Sequence, residues 1–157
     1  MKYIIREIKP SEYDLLNNFL YEAIFVREGE SLPPRDIINK PELQVYTENF
    51  GSRSGDYCLI AEVNGEIAGA VWARIMNDYG HIDDDTPSLA VSLYKKFRGL
   101  GIGTELMKSM LLLLKQAGYR RASLSVQKEN YACRLYEKLG FEIIYEHKEE
   151  YIMAINL

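Results

Sequence analysis

The chain has 157 residues, 47% of them hydrophobic, enough for one domain with a proper core and no second one. A formal net charge of −4 and a pI near 5.3 give no electrostatic footprint for nucleic acid, and suit a cationic substrate such as an amine better. The charged run Met1–Glu7 breaks its apolar stretch too early for a signal peptide, and no stretch is long enough to span a bilayer, so a cytoplasmic protein with no membrane partner is expected.

Residues 3–8 read as a first strand. Pro10-Ser11-Glu12 reads as a helix entry with Ser11 as N-cap. Leu15, Leu16, Phe19, Leu20, Ala23 and Ile24 then share one face of an amphipathic helix. From Arg27 to Phe50 the pattern breaks, with Pro33, Pro34 and Pro41 punctuating short helical stretches around Ile37 and around 43–46. Runs 57–63 and 66–75 flank Asn64-Gly65, the dipeptide suited to a type I′ hairpin turn. A loop rich in Asp and Gly spans 76–87, and residues 89–93 form a fourth strand.

The stretch Arg98-Gly99-Leu100-Gly101-Ile102-Gly103-Thr104 sits between that strand and a helix-forming run that ends at Gly118. Alternating glycines let consecutive N–H groups turn inward, and the helix start adds its unpaired N–H groups and positive dipole end. Arg98 adds a planar, multi-donor cation. Together they describe a cradle for a diphosphate. A P-loop would need a lysine that is absent, and a dinucleotide fingerprint would need Gly-x-Gly-x-x-Gly and a carboxylate after the next strand, 122–126, which ends without one. A short helix from about Asn130 to Leu139, stopped by Gly140, and strands at 141–145 and 151–155 close the chain.

Cys58 and Cys133 read as lone core thiols, and His81 and His147 have no partners at ligand spacing, so no metal is expected.

Residues 98–103 resemble the Gln/Arg-x-x-Gly-x-Gly/Ala motif of the GNAT superfamily of N-acetyltransferases. Downstream, Asn130-Tyr131-Ala132-Cys133-Arg134-Leu135-Tyr136-Glu137-Lys138-Leu139-Gly140-Phe141 is similar to that family's Asn…Ala…Leu-Tyr-x-Lys-x-Gly-Phe segment. The motifs cover roughly the C-terminal half. The resemblance implies an α/β fold: a mixed, twisted sheet of six or seven strands with helices on both faces, whose fourth and fifth strands run parallel and splay apart.

It implies acetyl-coenzyme A as cosubstrate and direct acetyl transfer to a primary amine, on a small molecule or a peptide, in a ternary complex. Backbone groups of Val91 and Leu93 would bond pantetheine, residues 98–104 would hold the diphosphate, and Asn130 would be a further ligand unless it only caps its helix. Tyr136 stands at the position of the general acid, although an aromatic there also fits core packing. The N–H near Leu93 would face the oxyanion. The fourth strand offers no carboxylate as general base, and Asp83, Asp84, Asp85, His81 and Glu62 are the remaining candidates. A non-catalytic module that binds acyl-coenzyme A is the alternative; a nucleotide-dependent phosphotransferase lacks a magnesium-binding carboxylate beside the glycines. Homodimerisation through strand edges near Ile144 or Ile152 follows from the resemblance alone.

Overall fold

A computed structural model describes residues 2–157; Met1, which opens the charged first run, lies outside the described residues. Its strands are β1 (Tyr3–Glu7), β2 (Tyr57–Val63), β3 (Glu66–Arg74), β4 (Ser88–Leu93), β5 (Arg121–Gln127), β6 (Glu142–Glu146) and β7 (Glu150–Asn156). The α-helices are α1 (Leu15–Glu22), α2 (Pro41–Gln44), α3 (Ile102–Gln116) and α4 (Ala132–Leu139). One seven-stranded sheet runs in the order β1-β2-β3-β4-β5-β7-β6, antiparallel except between β4 and β5. The expected mixed sheet is there.

The helices cover both faces. On one, Ile102, Leu106, Met107, Met110 and Leu114 recur at helical spacing along α3 and are buried against β2, β3 and β4, with Tyr136 and Phe141 in the same cluster. On the other, Leu16, Phe19 and Leu20 of α1 pack with Tyr46, Phe50, Ile60 and Trp72. The predicted hairpin forms with Asn64 at φ 51° and Gly65 at φ 82°.

The entry to the first helix differs from the sequence reading. Glu12, not Ser11, organises it: its carboxylate accepts the Lys9 N–H at 2.8 Å and a two-pronged bond from Arg6 at 2.9 Å, and residues 10–12 tighten into a 3₁₀ turn before α1 starts at Leu15. Ile152 also departs from its expected place. It lies on the interior strand β7 and is 3% exposed, so only Ile144, on edge strand β6, stands at a sheet edge.

The irregular segment before β2 is pinned by a buried cation. Arg74 bonds Asp56 at 2.8 and 3.0 Å and donates to the carbonyls of Val45 at 3.1 Å and Glu48 at 2.7 Å. Both partners of that ion pair are fully buried. The Trp72 indole N–H adds a bond to the Tyr46 carbonyl at 3.1 Å. Tyr46 is thereby fixed from two sides.

Candidate active site

Between β4 and β5 the ladder holds at a single position, Ser88 opposite Ser123, where the Ser123 N–H reaches the Pro87 carbonyl at 3.0 Å. Beyond it the strands part. Since backbone groups alternate sides along a strand, the edge that carries the Pro87 carbonyl also carries those of Leu89, Val91 and Leu93. Tyr94, of the other parity, bonds Ala68 of β3 at 2.9 Å. The edge of Val91 and Leu93 therefore faces a gap, as the resemblance implied. Arg98 Nε takes the Leu93 carbonyl at 3.0 Å.

The gap opens into one cleft of about 820 Å³. Arg98 and Gly103 line one end, Val91, Leu93, Val126, Asn130 and Tyr136 the middle, and Leu43, Tyr46 and Tyr79 the other end. The turn is built as the sequence suggested. Gly99 and Gly101 sit at φ 77° and 85°, and a Cβ on either would meet no atom within 4 Å, so the space above them is open. Among the described residues no protein acceptor takes the N–H groups of Leu100, Gly101, Ile102, Gly103 or Thr104. Ile102 spends its side chain on the core and contributes only backbone, while Leu100 is half exposed. These free donors and left-handed glycines fit a diphosphate. Arg98, the expected cation, is held by the Glu22 carboxylate at 2.9 Å, a contact an anionic ligand would compete for.

Tyr136 reaches the cleft from α4 because of how that helix stops. Gly140 takes φ 108°, the Phe141 N–H returns to the Tyr136 carbonyl and the Gly140 N–H to Glu137, both at 3.0 Å. The apolar contact that accompanies such a stop is the Phe141 ring on Tyr136, centroids 5.9 Å apart. Burial leaves Tyr136 only 8% exposed and pushes its phenol well above the ordinary range, so it stays protonated. Asn130 lines the cleft and also caps α4, its Oδ1 accepting the Ala132 N–H at 2.9 Å; the helix starts two residues later than expected.

None of the five candidate bases lines the cleft. Asp83 is tied to Arg121 at 2.8 Å, Glu62 to Arg6 at 3.3 Å, and His81 Nδ1 to the Met76 carbonyl at 2.8 Å, while Asp84 and Asp85 are exposed. The sequence reading missed Asp78. Its Oδ1 accepts the Ser88 hydroxyl at 2.8 Å, and Tyr46, beside it, also adjoins Ser125. Burial pushes the Asp78 carboxyl up, although Ser88, Tyr46 and the Gly80 N–H oppose this. A single Asp in an Asp- and Gly-rich loop, ten positions before the strand serine it meets, gave no local pattern to read.

Beside the cleft, Thr104, Lys108, Tyr131, Arg134 and Lys138 line a second groove of about 500 Å³ between α3 and α4. Three cations and a tyrosine that is 82% exposed line it. Among the described residues no three His, Cys, Asp or Glu side chains gather as a metal site, and no helix is long and apolar enough to cross a membrane.

The sheet opens at its one parallel pair, with a cradle of free N–H groups at the open end. Residues 20–141 match the Acetyltransferase (GNAT) family, and the chain belongs to that family. It is 33% identical to an acetyltransferase of Pectobacterium atrosepticum over 108 residues, 68% of this chain and 70% of that one. It is 30% identical to the protein named Probable N-acetyltransferase camello from Xenopus tropicalis over 84 residues, 53% of this chain but only 37% of that longer relative. The fold matches the PaiA N-acetyltransferase of Thermoplasma acidophilum, solved in complex with coenzyme A, with a TM-score of 0.68 at 18% identity, covering all of both chains.

Proposed function

We propose that residues 1–157 act as one domain that moves the acetyl group of acetyl-coenzyme A directly to a primary amine, with both substrates bound together. The observation that carries this is the continuity of the cleft, which runs from the phosphate turn, past the free edge of β4, to the α1 and α2 face. Carrier and acceptor can enter from opposite ends. A route through an acyl-cysteine has no support, since Cys133 Sγ is turned to the Gln127 carbonyl at 3.4 Å, Cys58 is buried, and neither lines the cleft.

In this reading the N–H groups of residues 100–104 and Arg98 hold the diphosphate, and the edge of Val91 and Leu93 bonds the two pantetheine amides. The second groove, with Lys108, Arg134 and Lys138, takes the phosphorylated nucleoside end, and the exposed Tyr131 ring offers a base a stacking face. The acceptor end pairs an apolar wall of Leu32, Pro33, Leu43 and Tyr79 with the carboxylates of Glu42 and Glu150 near Tyr79. The Tyr21 hydroxyl holds that wall through the Pro33 carbonyl at 2.6 Å. Such a mouth favours an amine on an apolar body.

Tyr136 faces the leaving sulfur. A phenol held above its ordinary value of about 10 is a poor source of a proton for a thiolate near 8.5. Its hydroxyl therefore donates a hydrogen bond to the departing sulfur and relays a proton that starts on the amine. The test is release of free thiol from acetyl-coenzyme A against a library of amines that includes arylalkylamines, polyamines and peptide N-termini. Turnover with an apolar-bodied amine supports the reading. Tight coenzyme A binding with no thiol release from any amine overturns it in favour of a binding module.

A further inference from the structure

Among the described residues two carboxylates line the cleft, and they are in different states. Glu22 is spent on Arg98 at 2.9 Å, whereas no cation pairs with Glu150. Arg27 takes the neighbouring Glu149 instead, and the His147 N–H reaches only the Glu150 carbonyl, at 2.8 Å. The place of Glu150 follows from the sheet. On β7 it lies opposite Gln127 of β5, as Ile152 lies opposite Ser125 and Ala154 opposite Ser123. Leu124, Val126 and Met153 belong to the α3 face, so alternation sets Gln127 and Glu150 on the other, the face of α1 and α2.

Tyr79 comes to the same face from the loop before β4. The next residue, Gly80, lies so close to β5 that a Cβ on it would stand 3.1 Å from the Leu124 carbonyl carbon and the Ser125 nitrogen. The Ser123 hydroxyl donates to the Gly80 carbonyl at 2.7 Å and fastens the loop there. Tyr79 is thereby held over β5, 52% exposed and lining the cleft. Partial burial, then the charges of Glu42 and Glu150, push its phenol up, so the ring stays uncharged. An uncharged aromatic face and an unclaimed carboxylate are the two partners an organic ammonium takes. Such a pair also stabilises the charged form of the amine it holds, and an ammonium has no lone pair with which to attack. Since β7 stands two strand positions from β4, at least about 10 Å from the edge of Val91, the cation held there is not the nitrogen that reacts.

We propose that Glu150, with the Tyr79 ring, seats a second cationic group of the acceptor, so that the preferred substrate is a diamine whose far ammonium stays charged while its near amine takes the acetyl group. The assignment rests on the transfer reading above and narrows its substrate class. The near nitrogen, having given its ammonium proton to water, bonds the acetyl carbon. The C–S bond breaks with its electron pair going to sulfur, and one proton of that nitrogen ends on the thiol. The far ammonium, one apolar spacer away, is unchanged.

The experiment compares thiol release by the full chain with hexane diamine against hexylamine, and octane diamine against octylamine, in the wild type, Glu150→Gln and Glu150→Lys. A charge-assisted contact should give the diamines a kcat/KM about 10- to 100-fold above the matched monoamines. Glu150→Gln should bring the diamines down to the level of the monoamines, with the Kd for coenzyme A unchanged within twofold. Glu150→Lys should favour aminohexanoate, whose carboxylate replaces the far ammonium, over hexane diamine. Tyr79→Leu should cost the diamines about 3- to 10-fold and the monoamines less. Wild-type values for diamines within twofold of those for monoamines, the statistical factor for two equivalent amines, overturn this assignment and leave acetyl transfer standing. An equal fall of diamine and monoamine in Glu150→Gln moves Glu150 to the reacting nitrogen and overturns it too. A wild type that releases no thiol with any amine overturns the transfer reading and this with it.

Discussion

Replacing Gly101 by alanine separates what that residue does for the fold from what it does for a ligand. At φ 85° an alanine costs roughly 1–2 kcal/mol of backbone strain. Nothing lies within 4 Å of the new Cβ, so no steric term adds to that. For a chain of this length the melting temperature should fall by roughly 2–8 °C. Gly118 supplies the control: its φ is 96°, its Cβ would also meet nothing within 4 Å, and it lies at the far end of α3, some ~22 Å along a helix of 15 residues. Gly118→Ala should therefore cost the same stability. Only the Gly101 methyl stands beside the free N–H groups of residues 100–104. If it displaces one charge-assisted hydrogen bond to a phosphate, worth about 1.5–3 kcal/mol, the Kd for coenzyme A rises roughly 10- to 100-fold. Calorimetric titration with coenzyme A reads the affinity and differential scanning calorimetry the stability. Equal affinity in the two variants would refute the cradle.

Tyr136→Phe keeps the ring packed on Phe141 and removes the donor, so kcat in the thiol-release assay should fall about 100-fold while the Kd for coenzyme A holds within twofold. Changing Lys108, Arg134 and Lys138 together to alanine should weaken coenzyme A binding but leave dephospho-coenzyme A unaffected within twofold; equal losses for both would remove the nucleotide from that groove. The Glu12 carboxyl is lowered from an ordinary 4.5 to about 2, chiefly by the hydrogen bond from Arg6 and then by that from the Lys9 N–H. A depressed carboxyl contributes stability above the unfolded value and loses it as pH falls through the folded one. Glu12→Gln should thus be less stable than the wild type at pH 6, and the two urea midpoints should converge as pH falls from 4.5 toward 2.

Features written in adjacent residues were legible in the sequence. The hairpin at Asn64-Gly65, the turn at 98–104 and the stop at Gly140 each follow from short-range backbone chemistry. The stop also explains the spacing of Tyr136, Gly140 and Phe141, because the same six-residue closure that ends α4 lays Phe141 on Tyr136. The Ser11 cap failed because Arg6 reaches across from β1 and draws Glu12 back to Lys9, a contact with no mark in local propensity. Asp78, Tyr46, Ser88 and Ser125 come from four separate stretches and meet only when the sheet forms. The run Asp83-Asp84-Asp85 was the more visible acidic signal, yet Asp83 serves Arg121 and the other two face solvent.

The site lies where it does because the sheet is unfinished at one place. Each of β4 and β5 has a full antiparallel partner on its outer side, β3 and β7, so neither strand needs the other to stay in the sheet. On their inner sides they share one pairing at Ser88 and Ser123 and then diverge. That leaves the Leu89 carbonyl, the backbone groups of Val91 and the Leu93 N–H facing a cleft, where unpaired polar groups are costly unless water or a ligand meets them. A ligand chain with amides, as proposed above, would meet them. In the proposed reading its phosphates would rest on the start of α3, and its reactive end would lie in the cleft lined by Tyr136 on one face of the sheet and Tyr46 on the other. In the proposed reading the leaving group and the nucleophile would be served from the two faces of the same gap, and direct transfer would need no covalent intermediate on the protein.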